Sequence, residues 1–399
     1  MPNQDALQEV KTVTNNYSAE YGRAQGVVIF TTKSGGNDYH GSGHYRVRNE
    51  AFNANSFSNN AQNIPRGAFK SNTFGGSVGG KIIKDKSFFF VSYEGLRFHR
   101  AYDYLMTVPT AAERAGDFSK TFVLVGAAPQ PIQLFDPFSP VTPSGSFFVR
   151  QALPSTLPSN RIDQFGSAIL NAYPLPNRTP DDVFNKNNFF FRGNQQFNRD
   201  NINTRVDYHW GRHNLYTTYG FQKGNIVTPR TWGPNSPYYS QKEFVGNQQR
   251  DNNFYVALGD TIPLSSNMVL DARLGVNRIE ADNLADVIPN YNYGVFGIPQ
   301  SIQALNVIPG APPATPSSQN LGGIVSPLNN GTSLHKRERQ TNSDFNGSVT
   351  WSRGRWTHKF GGTYRMLLSN YIDVDDSQQI QTSNDFTRRN INADGSTNG

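Results

Sequence analysis

The sequence predicts an all-β protein built around an antiparallel sheet of about nine long strands. Three observations predict it: apolar and polar residues alternate along many segments, these segments are longer than ordinary strands, and tight turns alternate with long links. Apolar residues make up 36% of the chain and aromatic residues 13%, so phenylalanine and tyrosine supply much of the hydrophobicity. This composition suits strands with one apolar face better than a helical core.

The alternation is clearest between Ile202 and Trp210. The even positions there are Ile202, Thr204, Val206, Tyr208 and Trp210, and the odd ones are Asn203, Arg205, Asp207 and His209. A period of two residues indicates a strand with one apolar face and one polar face. The stretches 268–276 and 345–351 show the same pattern. The charges on the second face would be costly to bury in a soluble core.

Nine segments pass this test. They are residues 38–48, 72–83, 87–98, 202–210, 214–222, 252–262, 267–280, 342–352 and 355–368. Most exceed the five or six residues of an ordinary strand and approach the length of a strand that crosses a membrane.

The connections between the predicted strands alternate between short and long. Tight turns at 84–86, 211–213, 264–266 and 353–355 alternate with long links at 49–71, 99–201, 223–251 and 281–341. Short connections at one end and long loops at the other are typical of outer-membrane β-barrels. Within the longest link, a short helix is expected around Ile162 to Ala172.

Other features of the sequence exclude whole classes of protein. The absence of cysteine excludes disulfides, thiolate metal sites and a thiol nucleophile. Transmembrane helices are excluded, since no apolar run approaches the roughly 18 residues they need. The net charge is +7, but basic residues are scattered mostly singly, which favours a solvated surface and no nucleic-acid partner. Residues 1–5 lack a secretory signal, so the chain is expected to be either cytosolic or truncated.

Several motifs carry a resemblance to a known family. They are Leu7–Val13 (LQEVKTV), Tyr17–Arg23 (YSAEYGR), Gly26–Gly35 (GVVIFTTKSG), Asn72–Gly80 (NTFGGSVGG), Lys84–Gly95 (KDKSFFFVSYEG), Val108–Thr110 (VPT), Gly116–Phe118 (GDF) and Tyr173–Asn177 (YPLPN). The first three resemble the end of the plug domain of TonB-dependent receptors. The others are similar to the Oar-like subgroup of that family, so the resemblance covers essentially the whole chain.

The resemblance implies residues 1–36 as the C-terminal end of a plug domain and residues 37–399 as the N-terminal part of an outer-membrane β-barrel with long extracellular loops. Such receptors have 22 strands, so about nine would be a partial transmembrane barrel, truncated at both ends. It also implies uptake of a scarce metal chelate or oligosaccharide, energised through the periplasmic protein TonB, whose binding box is absent here. The expected surroundings are outer-membrane lipid and lipopolysaccharide in a Gram-negative bacterium.

The sequence matches two catalytic motifs only formally. Gly75 to Lys81 reads G-x-x-x-x-G-K, but Ile82 replaces the serine or threonine of a phosphate-binding loop. Ser77 fits a G-x-S-x-G nucleophile elbow, yet no helix is expected after it. Both motifs are more simply interpreted as strand residues, so no catalytic residue is predicted and the protein is expected not to be an enzyme.

Metal or cofactor sites are not predicted either. The carboxylates at 373–376 lack the pattern of a calcium loop and are expected in a solvated loop. His40 and His44 lie on one strand, too far apart to share an ion, whereas His209 and His213 flank a turn without a third ligand. The basic run at 335–339 is interpreted as a solvated loop end, with nucleic acid or anionic lipopolysaccharide as the alternatives.

Aromatic residues carry the functional hypotheses. Those near tight turns are expected to form an interfacial girdle: Phe88, Phe89, Phe90, Trp210, Tyr216, Trp351 and Trp356. Aromatic residues within the long links are candidates for stacking on a substrate: Trp232, Tyr238, Tyr239, Tyr291 and Tyr293.

The identity of the substrate stays open, because loops diverge freely within one fold. Two other functions also stay open. A secreted or surface β-sandwich that binds glycans would bury its apolar faces against each other. A passive porin would lack the plug-like segment between Leu7 and Gly35.

Overall fold

The computed structural model describes residues 3–14, 26–145, 147–229, 232, 247–285, 293–297, 299–304, 315–316, 333–375, 379–380 and 390–391. Its strands are β1 (Leu7–Val13), β2 (Val27–Thr32), β3 (His40–Asn49), β4 (Phe69–Ile83), β5 (Ser87–Met106), β6 (Phe122–Val125), β7 (Ala128–Pro131), β8 (Thr142–Ser144), β9 (Phe147–Val149), β10 (Phe189–Trp210), β11 (His213–Val227), β12 (Asn247–Ser265), β13 (Met268–Ala285), β14 (Thr315–Pro316), β15 (Ser333–Arg353), β16 (Trp356–Asp375), β17 (Gln379–Ile380) and β18 (Asn390–Ile391). The α-helices are α1 (Phe57–Ala61), α2 (Ala111–Arg114), α3 (Gln164–Ala172) and α4 (Gln300–Gln303).

Across the described residues, nine strands form one antiparallel sheet in the order β3-β4-β5-β10-β11-β12-β13-β15-β16. Each of the nine predicted segments falls on one of these strands, and each strand pairs with its neighbour along the chain. The all-β prediction is therefore confirmed. The sheet is open, with β3 and β16 at its edges. None of the described helices combines the length and the apolar character that a membrane-crossing helix requires.

Tight turns connect the strands at one end of the sheet, which we call the turn end. Gly211 and Gly354 open two of these turns with φ of +59°, a conformation that glycine adopts without steric cost. Asp85 adopts φ of +58° in a third turn, where Asn37 donates to its carboxylate at 2.6 Å. We call the opposite end, where the long links depart, the loop end.

The two faces of the sheet differ as the alternation predicts. The apolar face carries Ile202, Val206, Leu258, Leu274 and Phe345, and Leu274 stands opposite Leu258 on one side and Phe345 on the other. The polar face carries Asn203, Arg205, Tyr255, Asp271 and Asp344. Many side chains of the apolar face are exposed, and no second sheet covers them within the described ranges. A β-sandwich would bury this face.

The longest described link, residues 107–188, folds into a compact unit that we call the loop subdomain. Helix α2 begins with a reciprocal cap, in which Glu113 N–H donates to Thr110 Oγ1 at 3.2 Å and Thr110 N–H donates to Glu113 Oε2 at 2.8 Å. Asn188 fixes the unit to the sheet by bonding the N–H and the carbonyl of Val108, both at 2.8 Å. Helix α3 confirms the predicted helix.

The apolar core of the loop subdomain includes strand ends and one residue of the next link. Its buried members are Met106, Val108, Ile169, Tyr173, Phe189 and Trp232. The Tyr173 and Trp232 rings meet edge to face, with centroids 5.1 Å apart. Burial of these side chains stabilises a fold at the loop end that local sequence pattern did not predict.

Acid is expected to destabilise the loop subdomain. The Ser119 N–H donates to Asp117 at 3.0 Å, and the Asn187 amide donates to Asp181 at 2.7 Å. These bonds hold the pKa of both carboxyls below their ordinary value. Their stabilisation is complete above the unfolded pKa of about 3.9 and is lost as pH falls through the lower folded pKa.

A urea titration of the loop subdomain at pH 5 and at pH 3, followed through Trp232 fluorescence, checks this expectation. The midpoint should fall at pH 3, and Asp117→Asn should reduce the fall. A midpoint that rises on acidification would contradict the assigned sign.

Candidate functional site

The polar face of the sheet holds a separate two-stranded hairpin. Strands β1 and β2 pair with each other, from Leu7↔Thr32 to Val13↔Val27, and not with the main sheet. Hydrogen bonds reach the hairpin and the turn before it from polar-face side chains: Ser92 donates to Asn3 at 3.1 Å, and Arg205 donates to Thr32 Oγ1 at 3.2 Å. The hairpin therefore occupies the side of the sheet that is polar.

A second set of charged groups joins the hairpin to β3. Asp5 Oδ2 lies 2.9 Å from His44 Nδ1, and Glu94 Oε2 lies 3.9 Å from His44 Nε2. The imidazole thus stands between a carboxylate of the turn that precedes β1 and a carboxylate of the sheet. Such a bridge is polar throughout, so water can replace it without exposure of apolar surface.

Behind the hairpin, the polar face contains a buried amide network. Asn203 donates to Asn201 at 2.5 Å, Tyr255 donates to Asn203 at 3.0 Å, and Asn201 donates to Gln222 at 3.4 Å. Asn201 and Asn203 are only 5% and 3% exposed, although both are polar. Mutual hydrogen bonds compensate the loss of solvation, and they fix these side chains in place.

A cavity of about 600 Å³ separates β2 from strands β11 to β16. Its lining combines residues 26–28 of the hairpin with charged groups of the polar face, among them Asp271, Arg273, Lys359 and Arg365. Arg273 lies 2.7 Å from Asp271, and Arg365 pairs with Asp344. The cavity therefore has charged groups of both signs on its sheet side.

The segment between hairpin and β3 passes very close to the sheet at Gly35. A Cβ atom added there would lie 2.2 Å from the Phe89 carbonyl oxygen and 2.6 Å from that of Gly80. Both obstacles are backbone atoms, which cannot rotate away. A side chain at this position would push the hairpin off the polar face.

Gly35→Val is therefore expected to weaken hairpin docking by about 1–3 kcal/mol, the usual cost of overpacking. Trypsin cleavage after Lys33 measures the change, because a detached segment becomes accessible. Gly36→Val is the matched control, since a Cβ atom there has open space. Equal cleavage of the two variants would contradict the close approach.

The predicted aromatic girdle is partly wrong. Phe89, Trp210, Trp351 and Trp356 lie on the apolar face close to the turn end. Phe88, Phe90 and Tyr216 lie on the polar face instead: Phe90 is buried near Gly79, and the Arg205 guanidinium lies 4.9 Å from the Tyr216 ring centroid. Consecutive residues of a strand point to opposite faces, so Phe89 can join the girdle while its two neighbours cannot.

Comparison with known proteins decides the family. The family model for an outer membrane beta barrel domain matches residues 31–398. The chain belongs to this family. Neither a curated protein nor a solved structure matches it. The outer-membrane barrel domain lies in the outer membrane of a Gram-negative bacterium, and its apolar face contacts lipid.

The two formal catalytic motifs lie in a regular strand and lack the backbone geometry that either motif requires. Gly75 to Lys81 is continuous strand within β4, and Ser77 meets Ser42 at 2.8 Å across the ladder. Neither a phosphate loop nor a nucleophile elbow has this shape. The absence of enzymatic activity stays a prediction.

His40 and His44 share one face of β3, whereas the sheet separates His209 from His213. His209 lies on the polar face near Asn214, whereas His213 lies on the apolar face with its Nδ1 2.6 Å from Asp260. Among the described residues, no group of three potential ligands could hold a metal ion. Asp373 lies in β16 near Lys336, and Asp376 is outside the described residues.

The five substrate candidates have different outcomes. Trp232 is 4% exposed and packs in the core of the loop subdomain. This packing role explains the residue without a bound substrate. Tyr293 begins a 3₁₀ turn that ends at Phe296. Tyr238, Tyr239 and Tyr291 lie outside the described residues, so their role stays a prediction. Sequence reasoning missed the amide network of the polar face, although Asn201 and Asn203 stand at alternate positions of one strand.

Proposed function

We propose that this outer-membrane barrel domain is part of a TonB-dependent receptor that imports a scarce substrate, such as a metal chelate or an oligosaccharide. The β1–β2 hairpin would then be the end of a plug domain, and the polar face would be the wall of the lumen. The partners would be the TonB energy-transducing complex and the extracellular substrate. The position of the hairpin on the polar face carries the proposal.

The contacts of the hairpin suit a part that moves. Its described hydrogen bonds to the sheet are polar, and each contributes about 0.5–1.5 kcal/mol net. Water can take over these bonds when the hairpin is pulled away. A modest mechanical pull can therefore open a path that thermal motion leaves closed.

The lining of the cavity supports passage of a polar cargo. Opposite charges are paired in this lining at Asp271–Arg273 and at Asp344–Arg365. Paired charges offer both donors and acceptors without a strong net field. A chelate or sugar can exchange hydrogen bonds with such a wall, whereas an apolar solute gains nothing from it.

Conductance across planar lipid bilayers tests the proposal with the complete product of the gene. We expect the intact protein to conduct weakly and a variant without residues 3–33 to conduct ions freely. A passive porin would conduct before the deletion as well as after it. Uptake of substrate in cells should also stop when the proton-motive force is collapsed, and uptake that continues would contradict an energised receptor.

A further inference from the structure

The basic run at 335–339 is not a solvated loop end. It lies inside β15, where the strand alternation divides its charges between the two faces of the sheet. Lys336 points to the polar face, with its Nζ 3.6 Å from Asp373. Arg337 and Arg339 lie on the apolar side, opposite Asp282 and Glu280 of β13. The sequence-based interpretation is therefore wrong about this run.

Two further arginines join Arg337 and Arg339 from neighbouring strands. Arg278 of β13 lies on the same side, with its Nε 2.8 Å from Glu280. Arg250 of β12 lies opposite Asp282. We call these four residues the arginine cluster.

The acidic residues beside the arginine cluster neutralise only half of its charge. Asp282 accepts from Arg339 at 2.7 and 2.9 Å, and Glu280 lies within reach of both Arg278 and Arg339. Arg250 and Arg337 are exposed, and neither forms an ion pair with another described residue. Four guanidinium groups against two carboxylates leave a net charge of +2 at this surface.

The depth of the cluster in the membrane follows from the apolar run below it. On β13 the apolar side carries Met268, Leu270, Ala272, Leu274 and Val276 before Arg278. This nine-residue span matches the roughly 9–11 residues that a strand needs to cross the hydrocarbon. The cluster therefore begins where the hydrocarbon ends. Because it is at the loop end, this boundary belongs to the outer leaflet.

A groove on the apolar face lies below the cluster. Its volume is about 400 Å³, and Leu258, Ala272 and Phe345 are among the residues that line it. The small side chain of Ala272 forms the bottom of the groove between larger side chains. On β13 it lies six residues below Arg278, or about 20 Å along the strand. An acyl chain whose head group is held by the arginines would run toward this groove.

We propose that the arginine cluster binds the phosphate groups of a phosphorylated glycolipid of the outer leaflet, whose acyl chain occupies the groove. Guanidinium groups bind phosphate oxygens in pairs of parallel hydrogen bonds. Among the described residues, Arg250 and Arg337 are the two members of the cluster without an ion pair, and Arg250 donates only to the Gln248 amide at 3.0 Å. The association of free cations with an apolar groove favours a lipid over a soluble anion. The site is independent of plug and substrate, so it would serve a porin equally well.

Native mass spectrometry of the detergent-purified chain tests the site, with lipid A as the probe. The double variant Arg250→Gln/Arg337→Gln should bind lipid A about 25-fold more weakly, since each arginine near an anionic head group contributes about fivefold. The variant Arg353→Gln/Arg355→Gln, at the turn end, is the matched control and should bind as the parent does. Arg337→Lys should bind more weakly than the parent but more strongly than Arg337→Gln, because lysine keeps the charge and loses the paired guanidinium hydrogen bonds.

Three results would overturn the proposal. Equal weakening in the turn-end control would indicate general charge attraction. Equal binding of dephosphorylated lipid A or phosphatidylethanolamine would show that phosphate recognition plays no part. Competition by inorganic phosphate as strong as that by lipid A would indicate a site for a free anion.

Discussion

Replacing Leu274 by arginine is expected to destabilise the membrane-inserted barrel by roughly 2–4 kcal/mol, the cost of a cation near the bilayer midplane. Leu274 is 44% exposed on the apolar face, between Leu258 and Phe345 of the adjacent strands. No described carboxylate stands directly opposite it in the ladder, so the introduced charge would remain in hydrocarbon. A membrane-folding titration of the complete gene product into lipid vesicles measures the difference.

Arg273 provides the control, because it is the next residue of the same strand. It faces the polar side, where it pairs with Asp271 at 2.7 Å and lines the cavity. Arg273→Ser should cost little, since water and Thr261, which already donates to Asp271 at 3.1 Å, can solvate the remaining carboxylate. Equal free-energy changes for the two substitutions would contradict the assignment of the faces.

Trp232→Ala is expected to cost the loop subdomain about 3–5 kcal/mol, as usual for a buried aromatic residue that is truncated. The Trp232 ring contacts Tyr173 and Phe189, and the cavity left behind would lie in the centre of their cluster. Hydrogen exchange of helix α3 measures the effect, because its Ile169 packs in the same core. The helix should lose most of its protection, since the loss approaches the stability of a small unit.

Phe138→Ala is the control within the same subdomain, because Phe138 is 84% exposed. Exchange of α3 should not change in this variant. Trp232→Phe should retain most of the protection, since it keeps an aromatic ring in the core. If Trp232→Ala leaves exchange unchanged and instead abolishes substrate uptake, Trp232 is a ligand-stacking residue after all.

The strands could be predicted because their signal is local and periodic. From Ile202 to Trp210 each residue type matches the face on which the structure places it. The prediction fails toward the loop end, where β10 begins at Phe189. Above the membrane both faces of a strand are solvated, so the apolar residues that mark one face are no longer required.

The site was less predictable because it depends on contacts between distant residues. The core of the loop subdomain joins Trp232 to Tyr173, and no repeat or spacing connects them. The arginine cluster draws on three strands and becomes visible only when their register is known. Conversely, the run Phe88 to Phe90 suggested a girdle because three aromatic residues occur together. The prediction did not take into account that consecutive residues of a strand point to opposite faces.

The length of β10 has a consequence for how molecules meet this protein. Its 22 residues extend about 73 Å along the strand, or about 55 Å above the turn end at a tilt near 40°. The hydrocarbon accounts for only about 30 Å of that height. The hydrogen-bonded strands therefore extend beyond the lipid on the outer side. A solute, an antibody or a phage tail that approaches the cell would contact these strands well before it reached the membrane. Changes in the long links can then alter the surface at the loop end, while the strands below keep the same arrangement.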